Sequence, residues 1–459
     1  MDKNRYRILQ LMALTINGYR IAKSTIENIH HIRGILTVKP YIPSVFVKPQ
    51  YITRYPVFKE DSEFLYLPKH YGIQTFGPFK STTRDVSKTD ASYWKFSGTI
   101  RDAQRPVVDS YLCPEPRDGI ISLQTGGGKT VCALYIASVL QLPTVVLVHN
   151  TFLRDQWNDR IKSFLPNARI GTIQGQVIDV ENKDIVVAML QSVSMKEYSA
   201  NLFKNFGLLI VDECHHIASE SFCQAIPKLT CKYMLGLSAT PERKDRLMHV
   251  INWFLGPLLY KSDNTDKVDE KVRVEVHEFE PPDSEYNEVI YNSSGVMFTS
   301  LMINKVTDYA PRNKLLVELI EDVFEDDTRQ ILVLTDRVEH TKVLYSLLSP
   351  EIQATACILG REVKADKRAE YCATKRILIA TYSMCKEGFD VATLNTLLIA
   401  TPRPDVDQIV GRILRVEKKG RQVDPLIIDV VDPAFRRQFQ ERLSLYKKRN
   451  YDVQKMKLV

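Results

Sequence analysis

No apolar run in the chain reaches the roughly 18 residues that a bilayer-spanning helix needs, so no membrane span is expected. The stretch Met1 to Tyr19 lacks the apolar core and small-residue cleavage site of a signal peptide. Eight cysteines occur, at 113, 132, 214, 223, 231, 357, 372 and 385, but no two stand as Cys-x-x-Cys, which argues against a zinc ribbon. Their scatter through apolar segments fits unpaired, reduced thiols in an intracellular compartment. Neither an internal repeat nor a low-complexity tract is present. A strong charge of one sign is missing as well: 62 Lys+Arg against 55 Asp+Glu leave +7, which permits a polyanionic partner without requiring one. What remains is an ordinary globular composition, 44% hydrophobic and 25% charged, over 459 residues. That length suffices for roughly three domains of about 150 residues.

Residues 1–92 read as a small accessory domain. An amphipathic helix is expected over Tyr6 to Ile32, followed by apolar runs broken by Pro40, Pro43, Pro49 and Pro56. The aromatic-rich run Phe64 to Gly77 could stack bases, but packing of a β or mixed domain is the expected use. From 93 to 260, short apolar runs alternate with helical stretches, the mark of βαβ units and a parallel sheet. The expected strands are Gly119–Leu123, Thr144–His149, Asp184–Ala188, Leu208–Val211 and Tyr233–Leu237. A polar segment from Lys261 to Lys271 opens a linker placed at 261–310. A second α/β pattern fills 311–459, with strands expected at Gln330–Thr335, Thr355–Leu359, Arg376–Ala380, Thr396–Ala400 and Leu426–Val430. Its tail from Phe435 onward carries eight Lys/Arg against two acids, interleaved with Phe435, Phe439, Tyr446 and Tyr451. Two uses fit equally: a basic helix tracking a phosphate backbone, or a helix docked through its aromatics with its charges in water.

Leu123-Gln-Thr-Gly-Gly-Gly-Lys-Thr130 falls between an expected strand and helix. Thr125 with Gly126, Gly127 and Gly128 can aim successive N–H groups inward as a phosphate cradle at a helix N-terminus. Lys129 is placed to reach the β- and γ-phosphates of ATP, and Thr130 to ligate Mg²⁺. Leu123 stands where the strict form of this pattern has its first glycine. In Leu208-Leu-Ile-Val-Asp-Glu-Cys-His-His216, four apolar residues deliver two acids to the carboxyl end of a strand, where open parallel sheets bind ligands. Asp212 is then a Mg²⁺ ligand, and Glu213 orients and polarises the attacking water. His215 and His216 have no partners at zinc-ligand spacing. In a helix starting near Asp405, Gln408, Arg412 and Arg415 share one face. Two guanidinium groups pointing one way suit a γ-phosphate in its transition state.

These segments, in this order, resemble the DExH branch of the superfamily 2 helicases, over about residues 95–430. Gln104 resembles the family's adenine-reading glutamine. Val145 to Trp157 is similar to a motif lying along the tracked strand. Ser238-Ala-Thr240 looks like the element coupling hydrolysis to strand binding, and Ile331 to His340 like the fourth motif. Thr381 to Asp390 resembles the fifth motif, which carries Gly388 and Asp390 to the nucleotide. Gln408 to Arg415 matches the sixth, whose arginines act as fingers. The chain lacks the second motif of DEAD-box RNA helicases, has His215 in place of their final Asp, and has no four-cysteine iron–sulfur insert. Thr401-Pro-Arg-Pro-Asp405 and the Phe-Leu-Gly-Pro257 run look closer to XPB-like translocases. They also resemble compact helicases of large DNA viruses and some phages, including the poxvirus transcript-release type. Tyr66 to Gly72 fits the region preceding the motor in those viral proteins. Met189 departs from the family, where many members have Thr.

The resemblance implies two tandem RecA-like α/β parallel-sheet domains behind the accessory domain, with ATP and Mg²⁺ in the cleft between them. It implies an ATP-dependent helicase or translocase, with DNA favoured over RNA as partner and transcription or replication machinery as further partners. The place of work would be intracellular: the host cell, with the virion as a further place, if the chain is viral, and the cytoplasm or nucleus otherwise. A duplex translocase that releases transcripts without separating strands, an RNA helicase, and a nucleic-acid-binding scaffold with a vestigial motor are the alternatives.

Overall fold

The computed structural model describes residues 12–41, 52–87, 94–124, 126–199, 201–216, 220–239, 245–262, 271–293, 295–360, 362–386, 391, 393–414 and 421–456. The chain divides into two units, Met1–Ser262 and Asp263–Val459. Each is taken by itself.

The first unit opens with a hairpin, β1 (Met12–Thr15) and β2 (Gly18–Ala22), paired from Met12↔Ile21 to Thr15↔Gly18. This corrects the helix expected over Tyr6 to Ile32, of which residues 6–11 lie outside the described residues; beyond the hairpin a single 3-10 turn, Lys23–Thr25, and the short α-helix Ile29–Ile35 follow. The cause is the Asn17-Gly18 step, a strong hairpin signal. Gly18 has φ +112, and a Cβ there would meet the Leu67 carbonyl oxygen at 2.2 Å. Thr15 Oγ1 also donates to the Gly18 carbonyl across the turn. A short pair, β3 (Thr37–Val38) and β4 (Tyr55–Pro56), follows. Then β5 (Lys59–Glu60), β6 (Phe64–Leu67) and β7 (Ser81–Thr82) complete a five-stranded sheet in the order β5-β6-β2-β1-β7. The aromatic-rich run is used for packing, with Leu65, Leu67 and Tyr71 buried.

This sheet is fastened to the α/β part of the same unit by buried charges. Lys69 Nζ lies 2.6 Å from Asp118 Oδ2, and His70 Nε2 lies 2.9 Å from the same oxygen. Burial pushes the Asp118 carboxyl up, but the neighbouring Lys69 and His70 outweigh it and hold it below its usual range. Arg84, 1% exposed, donates to the carbonyls of Phe203, Lys204, Phe206 and Thr230 at 2.7–3.0 Å. Five N–H donors in a rigid fork suit such a cluster of carbonyls.

The α/β part is an eight-stranded sheet of β8 (Gly119–Ser122), β9 (Thr144–Val148), β10 (Ile170–Gln174), β11 (Val177–Asp179), β12 (Ile185–Met189), β13 (Leu208–Val211), β14 (Tyr233–Ser238) and β15 (Leu258–Lys261). Its order is β11-β10-β12-β9-β13-β14-β8-β15, and every pair but β10/β11 is parallel. Strands such as β9 and β13 are buried throughout, because helices cover both faces of a parallel sheet.

The second unit is a seven-stranded, all-parallel sheet. Its strands are β16 (Arg273–Glu278), β17 (Ile331–Thr335), β18 (Ala356–Leu359), β19 (Ile377–Thr381), β20 (Thr396–Ile399), β21 (Leu426–Val431) and β22 (Asp452–Met456), in the order β18-β19-β17-β20-β21-β16-β22. Within 261–310, residues 263–270 lie outside the described residues. From Val272 the chain already builds this sheet, with Val272, Val274 and Val276 buried at alternate positions. The basic tail docks: Phe435, Phe439, Tyr446 and Tyr451 are buried around the helix Arg436–Lys448, while Lys447 and Lys448 stay exposed. No helix among the described residues is long and apolar enough to cross a membrane.

Replacing Arg84 by Ala takes a donor from the carbonyls of Phe203, Phe206 and Thr230, where the bonds are buried, and from that of Lys204, where the bond is half-buried. The expected loss is at least about 3 kcal/mol of unfolding free energy, at 1 kcal/mol or more per orphaned group. Urea titration followed by tryptophan fluorescence measures it, and a change below about 1 kcal/mol would show that Arg84 is not the fastening.

Candidate functional site

Parallel pairing puts the carboxyl end of every strand but β11 at one edge, and three adjacent strands, β13, β14 and β8, end there side by side. β8 leads into the glycine turn, in which Gly126 has φ +81 and Gly128 φ +85. Gly128 caps the helix Lys129–Leu140 in the left-handed region, which only glycine enters without cost. A Cβ there would also lie 2.1 Å from Gln104 Nε2. Gln104, 3% exposed, thus rests against the phosphate loop, its Oε1 accepting the Arg101 backbone N–H at 3.1 Å. Thr125 lies outside the described residues. Lys129 Nζ donates to the Leu123 carbonyl at 3.2 Å and stands 4.0 Å from Glu213 Oε1. Thr130 follows on the first turn of the helix.

β13 delivers Asp212 and Glu213 to the same edge. Glu213 adopts φ +47, a conformation that costs a non-glycine residue about 1–2 kcal/mol and is typical of sites where the side chain must be aimed. Asp212 is 6% exposed; its Oδ1 accepts the Glu213 N–H at 2.9 Å, and its Oδ2 accepts the Trp157 indole N–H at 2.8 Å. Burial, then the charge of Glu213, pushes the Asp212 carboxyl up to about 6. His215 Nδ1 lies 3.3 Å from Glu213 Oε2 and 3.1 Å from Ser238 Oγ, the residue that ends β14. The Ser238 carbonyl accepts the Leu123 N–H at 3.0 Å. One chain of contacts therefore runs from the glycine turn through Lys129, Glu213 and His215 to Ser238 and back.

In the second unit, the segment Ala400 to Arg403 launches the helix Asp407–Ile413, which starts two residues later than expected. Side chains hold three of its carbonyls, each at 2.7 Å: Ala400 by Arg312 Nη1, Thr401 by the Tyr382 hydroxyl, and Arg403 by Arg442 Nη1. Both arginines are fully buried, Arg312 paired with Asp432 at 2.6 and 2.9 Å and Arg442 with Asp429 at 2.8 Å. Tyr286 and Tyr446 hydroxyls add bonds to those carboxylates. Arg412, 8% exposed, donates to the Cys385 carbonyl at 3.0 Å. Arg415, Gly388 and Asp390 lie outside the described residues. His340, in the segment resembling the fourth motif, is held by Thr335 at 2.7 Å and Asn313 at 2.9 Å. Burial, then Arg312's charge, brings it down to about 3, so it stays neutral.

Sequence reasoning quoted Trp157 without giving it a task and passed over Arg312, Tyr382 and Arg442. For Trp157 a signal existed: Leu153, Trp157 and Ile161 recur at four-residue spacing, and a buried indole N–H must find an acceptor. For the buried arginines there was none, since Arg312 meets Asp432 from 120 positions away, and Arg442 meets Asp429, 13 positions before it, only once the helix Arg436–Lys448 folds back on β21.

Residues 97–243 match the family described as Type III restriction enzyme, res subunit. The chain is 32% identical over 458 residues to an Acanthamoeba polyphaga mimivirus protein named as a candidate ATP-dependent RNA helicase, covering 96% of this chain and 86% of that one. It is 27% identical over 404 residues to a candidate helicase of Invertebrate iridescent virus 6, covering 81% and 86%. Among solved structures, Saccharomyces cerevisiae Dbp5 bound to RNA and ADP BeF3 shares the fold, with TM-score 0.52 and 14% identity over 77% of this chain and 89% of that one. The chain belongs to the superfamily 2 helicases. It is an ATP-hydrolysing enzyme that works on nucleic acid.

Arg442→Met strands the fully buried Asp429 with only the Tyr446 hydroxyl, and should lower stability by about 3–5 kcal/mol. Pairing it with Asp429→Leu should restore most of the loss, because the uncompensated charge goes too. Chemical denaturation of both variants checks this; a double variant as weak as the single one would contradict it.

Proposed function

We propose that the chain is an ATP-driven motor that steps along a nucleic-acid strand, DNA in preference to RNA, with strand separation as its output. The carrying observation is the shared strand edge, where Lys129, Glu213, His215 and Ser238 form one connected set. Lys129 and the N–H groups of Gly126 to Gly128, with Thr125, bind the ATP phosphates, and Gln104 reads the adenine. Gly388 and Asp390 are assigned to the nucleotide on resemblance, and Arg412 and Arg415 to the transferring phosphoryl group on resemblance and on the helix face that their spacing shares. The domain scheme proposed is 1–92 accessory, 93–260 ATP-binding, 261–310 linker and 311–459 the second motor domain, with Arg273–Glu278 of the linker stretch contributing a strand to the second domain's sheet.

The donors fit Mg²⁺ rather than a softer metal. They are oxygens only, a buried Asp212 carboxylate crowded by Glu213, and the Thr130 hydroxyl one residue past the lysine. When bound, Mg²⁺ neutralises charge on the phosphate oxygens. Glu213, its backbone turned by φ +47, orients the attacking water and takes its proton. The Glu213–His215–Ser238 contacts then pass a change at the phosphates to the end of β14.

DNA is supported by the missing DEAD-box second motif and by the Thr401 to Asp405 resemblance to XPB-like translocases. A second reading, an RNA motor, is supported by the name of the mimivirus relative. Relatives from viruses support work inside an infected cell, beside transcription or replication machinery.

Lys129→Ala and Glu213→Gln should each lower nucleic-acid-stimulated ATP turnover at least about a hundredfold, the scale of losing a positioned base or phosphate clamp. Phosphate release measures it, and stimulated hydrolysis surviving in either variant would sink the assignment. Single-stranded DNA should stimulate more than RNA; the reverse order would favour the second reading. Strand displacement assayed beside triplex displacement separates a helicase from a duplex translocase. With Asp212 at about 6, its neutral form gains as pH falls through that value, so Mg²⁺-dependent ADP binding should weaken from pH 7 to 5. Asp212→Asn should remove that dependence in a calorimetric titration.

A further inference from the structure

We infer that Trp157 is a positioning residue for the metal-holding carboxylate: its indole N–H fixes the orientation in which Asp212 meets Mg²⁺. The inference rests on the proposed role of Asp212 and adds to it. Trp157 has 0% of its surface exposed, and its Nε1 donates to Asp212 Oδ2 at 2.8 Å. The other oxygen, Oδ1, is held by the Glu213 backbone N–H at 2.9 Å. One oxygen is thus set by the strand's own turn and the other by a side chain 55 positions upstream. Two donors on different oxygens remove the rotation that a carboxylate at the end of a strand would otherwise have.

The indole is itself fixed. It sits in the middle of the helix Thr151–Phe164, between Leu153 and Ile161 on the buried face. The helix is tied down at its start, where the Asn150 side chain accepts the Leu153 N–H at 2.8 Å. Just before it, Gln191 Nε2 donates to the His149 carbonyl at 2.7 Å, and Arg154 bonds Gln174. A ring held this firmly delivers a donor at a constant place, and only one of its atoms is polar. Phenylalanine keeps an apolar ring and drops that N–H, and the volume it also loses is controlled by the Mg²⁺-free ADP measurement.

The test uses the full chain and ADP, by calorimetry with and without Mg²⁺. In the native protein Mg²⁺ is expected to tighten ADP. Trp157→Phe should reduce that tightening about tenfold, the scale of one hydrogen bond to a charged group, while leaving Mg²⁺-free ADP affinity as it was. Asp212→Asn should abolish the tightening, and Trp157→Phe added to it should cost nothing further, since both act through one carboxylate. If Asp212→Asn leaves the tightening intact, the metal assignment itself fails. If Asp212→Asn abolishes it but Trp157→Phe matches the native protein, only the positioning inference is overturned. Equal weakening of Mg²⁺-free and Mg²⁺-bound ADP in Trp157→Phe would mark a packing role and overturn it too.

Discussion

Parallel pairing is the constraint from which the candidate site follows. Because Leu208 pairs with Tyr233 and Leu235 with Gly119, neighbouring strands run in step and leave the sheet at nearly one level. Asp212, Ser238 and Leu123 then emerge beside one another although 89 positions of chain separate Leu123 from Asp212 and 115 separate it from Ser238. No single residue brings them together; the ladder does. An antiparallel arrangement would send alternate strand ends to opposite edges and scatter the same residues.

Buried charge is the second theme, and it is used in two different ways. Arg84 donates to the carbonyls of Phe203, Lys204, Phe206 and Thr230 and fastens one sheet to another. Arg312 and Arg442 each neutralise a buried aspartate and still keep one N–H for the backbone before the helix Asp407–Ile413. An apolar core would pack as well, but it could not fix the Ala400 and Arg403 carbonyls on either side of the Thr401 carbonyl that Tyr382 holds. Asp212 differs from these aspartates. It has Trp157 and a backbone N–H rather than a guanidinium, and is left with a pushed-up carboxyl ready for a cation.

Much of the fold was legible because central parallel strands are uninterrupted apolar runs. All ten strands expected in the two motor sheets are present, with ends shifted by a residue or so. The strands that escaped are mostly at or near edges. β10 buries only alternate residues, and β22, Asp-Val-Gln-Lys-Met, is nearly all exposed, so neither has an apolar run to read. The hairpin at Met12–Ala22 was misread because apolar residues there also fit helical spacing, and the Asn17-Gly18 turn decides the matter. In the site, Lys129, Asp212 and Glu213 were legible because local chain order encodes them. The Trp157, Arg312 and Arg442 contacts depend on tertiary approach between distant segments, which spacing does not carry.

The place of β22 has a consequence for how the protein is made. In the second unit β16 lies between β21 and β22, pairing Arg273 with both Leu426 and Asp452. The first residues of that unit thus wait for partners that the ribosome adds only after nearly all the rest of it. The first unit closes its own sheets within Met1–Ser262 and can fold while the remainder is still being synthesised. Until residues 452–456 emerge, β16 offers an open edge to any passing strand, so the second unit is where a chaperone would be needed during translation.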